Sequence, residues 1–84
     1  MDAERLEHIV NSIRDSGSAA QSEDAMADIL MGWREDQNIE WGLYDAYLSA
    51  PKGSNGRWWF RYILERIWIM RGEDAAYDHK HRSE

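Results

Sequence analysis

The sequence predicts an all-α single domain, a small bundle of about four helices with a Trp-rich C-terminal helix at its centre. Three observations lead there. Apolar residues recur at i, i+3, i+4 and i+7 in separate segments, the spacing of one helix face. Those segments are bounded by residues that start or stop helices. Three of the five tryptophans among 84 residues, Trp58, Trp59 and Trp68, fall between Arg57 and Arg71. A helix apolar around most of its girth is either central or half-covered by a partner.

The first helix is expected at about 2–15. Leu6, Ile9, Val10 and Ile13 make its stripe, Asp2 is placed to cap it, and Glu4 suits the positive end of the helix dipole. A linker over 16–21 follows. The second helix is expected at about 22–35, with Met26, Ile29, Leu30 and Trp33 as its stripe. Ser22 is the natural cap, and a Ser18–Gln21 capping box would start the helix a turn earlier. Met31 falls on the opposite, acidic side.

The break at Asp36-Gln37-Asn38 is soft. It allows a third helix at about 39–50 capped by Asn38, or one long bent helix. Trp41, Tyr44 and Leu48 form one stripe there, Leu43 and Tyr47 another, and Gly42, Asp45 and Ser49 the polar side. Pro51 disfavours the α conformation at Ala50 and closes the helix. Residues 52–56 read as a turn. The fourth helix is expected at 56–71, with Phe60, Ile63, Leu64 and Ile67 inward, Trp59, Trp68 and Met70 widening that stripe, and Trp58, Tyr62 and Ile69 off to the side. Gly72 suits the position after its end. The chain thus divides into a helical domain, 1–72, and a flexible charged tail, 73–84.

Composition narrows the function. Without cysteine there is neither disulfide nor thiolate metal site, and a cytoplasmic location is expected. Met1-Asp2-Ala3-Glu4-Arg5 does not read as a signal peptide, and no apolar run approaches the roughly 20 residues that span a bilayer. The net charge of −6 is unevenly spread: −8 over residues 1–50, +4 over 51–71 and −2 over 72–84.

No catalytic arrangement is readable, so an enzyme is not expected. His79 and His81 beside Asp78 have weak metal-ligand spacing and read as a solvated tail; no metal or cofactor is expected. Gly53-Ser54-Asn55-Gly56 lacks the Lys-Ser/Thr pair of a phosphate-binding loop. Two surfaces remain. Glu23, Asp24, Asp28, Glu35, Asp36, Glu40 and Asp45 are candidates for an acidic face that stands where nucleic-acid phosphates would lie. Trp41, Tyr47, Arg57, Trp58, Arg61 and Tyr62 are candidates for an aromatic and basic patch. Trp and Tyr anchor protein interfaces, and cations interleaved with rings also suit single-stranded nucleic acid. The acidic charge weighs against the latter, because backbone affinity is largely cationic.

In size, lack of cysteine, acidic charge and aromatic content, the chain resembles the small inhibitors that phages encode against bacterial defence systems, such as anti-CRISPR proteins. That resemblance implies a viral protein that blocks a nucleic-acid-handling complex by binding it. The expectation is therefore a non-enzymatic protein-binding module with a protein partner and no membrane. The alternatives are a nucleic-acid binder using the basic Trp-rich helix, and a homodimeric helical subunit.

Overall fold

The computed structural model describes residues 2–15 and 18–82, with side chains described through Glu73. It is the expected all-α bundle: α1 (Ala3–Asp15), α2 (Ala19–Glu35), α3 (Ile39–Ser49) and α4 (Asn55–Arg82). Every helix packs on every other, α3 and α4 most extensively.

Local chemistry sets the helix ends. Asp2 Oδ1 accepts a hydrogen bond from the Arg5 amide at 2.8 Å, satisfying a first-turn donor of α1. Ser54 Oγ does the same for the Arg57 amide at 3.2 Å and so starts α4. Between α3 and α4 the chain turns at Gly53, whose φ of 81° lies where a Cβ is strained.

The soft break resolves into two helices. Asp36 leaves the helix in an extended conformation, φ −143° and ψ 99°. Its Oδ1 accepts from the Asn38 amide at 3.0 Å, so Asp36, rather than the expected Asn38, is the side chain that organises this turn.

Of two further boundaries, one takes the earlier of its two expected positions and the other differs from expectation. α2 begins a turn earlier than Ser22, at the extended residue Ser18. Ser22 lies inside the helix and is fully buried with Ala25, Ile29, Gly32 and Trp33. That rotates the inward face away from Met26 and Leu30, which are only partly buried. At the other end, α4 passes through Gly72 and continues to Arg82. Gly72 does not take positive φ, and the helix formers Glu73, Ala75 and Ala76 follow it. The expected boundary at residue 72 therefore falls inside a helix.

The core joins Leu6, Ile9, Val10 and Ile13 of α1 to Ile29 and Trp33 of α2, Ile39 and Leu43 of α3, and Trp59, Phe60, Ile63, Leu64 and Ile67 of α4. Gly42, expected on a polar side, sits where α3 approaches α1: a Cβ there would lie 2.8 Å from Leu6 Cδ2.

Candidate protein-binding surface

The five tryptophans separate cleanly. Trp33 and Trp59 are buried, whereas Trp41, Trp58 and Trp68 are 70%, 58% and 47% exposed. Trp68, expected to widen the core stripe, faces out because the core side of α4 is already filled by Phe60, Ile63, Leu64 and Ile67.

On α4 the exposed rings are built on a buried one. Trp58 and Tyr62 stack, with centroids 5.4 Å apart and planes 5° apart. Both meet the edge or face of Trp59, at 5.1 Å and 5.9 Å. Spacing explains it: residues 58 and 62 are one turn apart, and Trp59 between them turns inward. Ile69 continues the line, half exposed.

On α3 the stripe Trp41, Tyr44 and Leu48 is exposed. The inward side is taken by Ile39, Leu43, Ala46 and Ala50, so the larger of the two α3 stripes faces out. The two helices run antiparallel, as Glu40 pairing with Arg71 and Ala50 bonding with Arg57 require.

Arg57 and Tyr47, both candidates for binding, serve the fold. Arg57 Nη1 donates to the Ala50 carbonyl at 2.9 Å, satisfying a terminal carbonyl of α3. Its guanidinium lies 4.4 Å from the centre of the Tyr47 ring. Arg61 donates from Nε to Glu65 at 3.1 Å, and that hydrogen bond, with the nearby Tyr47, raises the Arg61 pKa above its ordinary value. Arg71 is held by Glu40. Of the four arginines between 57 and 71, Arg66 alone has no ion-pair or hydrogen-bond partner among the described residues.

The candidate carboxylates do not gather into one site. Asp24 and Asp28 border the groove between α1 and α2, beside Arg5 and His8. Asp45 borders the groove between α1 and α3, beside Glu7 and Arg14. Glu40 is engaged with Arg71, and Asp36 with its own turn. Glu23 and Glu35 are exposed on α2. Met31 is 70% exposed, as its position opposite the apolar stripe requires.

Among the described residues, no group of three or more His, Asp or Glu is placed to hold a metal ion. The side chains of His79 and His81 lie outside the described residues. No described helix is long and apolar enough to cross a membrane. Comparison with protein-family models, characterised proteins and solved structures finds no match.

Tyr44, Leu48, Trp68 and Ile69 join the exposed surface without being candidates from the sequence, where Ile69 alone of the four is placed to the side of its helix's core stripe. The i, i+3, i+7 spacing of Trp41, Tyr44 and Leu48 was the available signal. It marks a shared face but not which way that face points.

Proposed function

We propose that the chain is a non-enzymatic protein-binding module that docks through the exposed aromatic surface of α3 and α4. One observation carries this. Among the described residues, eight large apolar side chains are substantially exposed, and all but Met31 lie on these two helices. Large exposed rings are enriched where proteins meet partners, and here they are concentrated on two neighbouring helices rather than scattered singly.

The mode this favours is aromatic anchoring. Asp24 and Asp28 border one groove and Asp45 another, while Glu40 and Asp36 are engaged within the fold, and a phosphate-mimicking face needs its carboxylates together. Binding anchored by rings depends weakly on salt, whereas binding through charge pairs depends on it strongly. In its finer form the proposal makes the partner a nucleic-acid-handling complex and the chain its inhibitor, following the resemblance to phage anti-defence proteins in size and charge. Direct nucleic-acid binding is the weaker reading, because Arg57, Arg61 and Arg71 are already engaged within the fold and cationic contacts supply most backbone affinity.

The test is a tagged pull-down from lysate of the natural host, with and without nuclease, using wild type and Trp41→Ser/Leu48→Ser. A stoichiometric protein recovered after nuclease by wild type, and lost by the variant, is expected. Capture that needs intact nucleic acid, or that survives the α3 changes, overturns the proposal.

A further inference from the structure

We propose that the α4 half of this surface is occupied by a second copy of the chain, the two α4 helices crossing antiparallel about a two-fold axis between Glu65 and Arg66. This names the occupant of one half of the docking surface and so rests on reading the exposed rings as a contact surface.

The outward line of α4 is Trp58, Tyr62, Glu65, Arg66, Ile69 and Glu73. All six are exposed, with Trp58 at 58%, Tyr62 at 38% and Ile69 at 50%. Their spacing is palindromic: four, three, one, three, four. A two-fold axis between residues 65 and 66 therefore brings Tyr62 against Ile69 of the other copy, and Glu65 against Arg66. Apolar meets apolar and acid meets base, which is the self-complementarity an isologous contact demands. Trp58 comes opposite Glu73, whose carboxylate accepts hydrogen bonds from an indole N–H.

The charges are already disposed for this. Arg66 has no partner among the described residues, while Glu65 uses only Oε1 to hold Arg61 and leaves Oε2 to accept. Counting Arg61, Glu65, Arg66 and Glu73, the contact line is electrically neutral. Most of the excess negative charge of the chain lies on residues 1–50, in helices other than α4. From Trp58 to Glu73 the helix is about 23 Å long. Pairing it would bury roughly 1,000 Å² in total, the floor for a specific interface. The α3 ridge of Trp41, Tyr44 and Leu48 lies outside this line and stays available, so a dimer would present it twice.

The experiment is light scattering behind size exclusion on the full chain at roughly 100 µM, a concentration at which an interface of this size with a micromolar Kd is populated. Wild type is expected at twice the monomer mass of 9.9 kDa. Glu65→Arg alone and Arg66→Glu alone each set like charges against each other twice across the axis, and each is expected to weaken dimerisation about ten-fold or more. The double variant Glu65→Arg/Arg66→Glu restores both pairs and should recover the dimer. Unchanged circular dichroism in all three variants shows that the fold is kept. A monomeric wild type overturns the proposal, as does a double variant no better than the singles. A monomer that still loses its protein partner on Trp41→Ser/Leu48→Ser overturns the dimer alone and leaves the protein-binding reading standing. A charge-swappable dimer whose α3 variant captures as well as wild type supports the dimer and removes the α3 reading.

Discussion

Replacing Trp33 by Ala should bring this domain to the edge of unfolding, whereas the same change at Trp41 should be nearly silent. Trp33 is fully buried at the junction of α2 with α4, where the Arg71 guanidinium lies 5.9 Å from its ring centre. A buried indole removes roughly 200 Å² from water, which at about 25 cal/mol/Å² is about 5 kcal/mol. One term opposes this. The Trp33 Nε1 hydrogen has no acceptor among the described residues, and leaving such a donor unmade costs about 1–3 kcal/mol. Truncation removes both, so the net loss is about 2–4 kcal/mol, overlapping the usual span for Trp→Ala in a core. A chain of this length has a total stability of about 4–13 kcal/mol. Trp33→Phe separates the two terms: it keeps most of the apolar contact and discards the orphan donor, so it should cost only about 1 kcal/mol. Trp41 is 70% exposed, and its truncation should stay within about 0.5 kcal/mol. Urea unfolding followed by far-UV circular dichroism measures all three. Trp33→Ala losing less than Trp41→Ala, or Trp33→Phe losing as much as Trp33→Ala, would show that burial of this indole does not hold the domain together.

Four further outcomes are expected. Asp2→Ala and Ser54→Ala each remove a capping acceptor and should each lower stability by about 1 kcal/mol in the same urea assay. Gly53→Ala has open space for its Cβ but a strained φ, so thermal unfolding should report a loss of about 1 kcal/mol, with Gly53→Asn losing less. A double-mutant cycle on Glu40→Gln and Arg71→Gln should give a coupling below about 1 kcal/mol that shrinks with salt, because the Arg71 side chain is 49% exposed. Reversing charge at Asp24, Asp28 and Glu35 together should leave partner capture in the pull-down unchanged, since none of the three lies on α3 or α4; loss of capture without unfolding would restore the acidic-face mode.

Helices were legible because their signals are local. The stripe of α1 and its Asp2 cap depend on residues three and four apart, and they appear where the spacing puts them. The end of α4 was not legible. Gly72 permits a helix to stop without compelling it, and no proline follows to forbid continuation. The start of α2 was ambiguous for the same reason: Ser18 and Ser22 offer equivalent caps, and burial of Ser22 against neighbouring helices chose between them. α3 carried two apolar stripes. Spacing alone did not say which of them points inward. Leu43 and its small neighbours Ala46 and Ala50 are buried, with Tyr47 packed against the core beside them.

What the amino-acid order alone establishes is the all-α class, the turn between α3 and α4 and the concentration of rings on the last helix, with two helices or one bent helix left open over residues 22–50. These follow from periodicity and capping, interactions that span no more than one turn. The packed fold sets which tryptophans are buried, that Arg57 and Tyr47 serve the α3–α4 contact, and that Asp24 and Asp28 border a different groove from Asp45. Those outcomes depend on how each helix rotates about its axis to fill a shared core. That rotation is fixed by neighbours distant in sequence, because close packing admits few arrangements of these volumes.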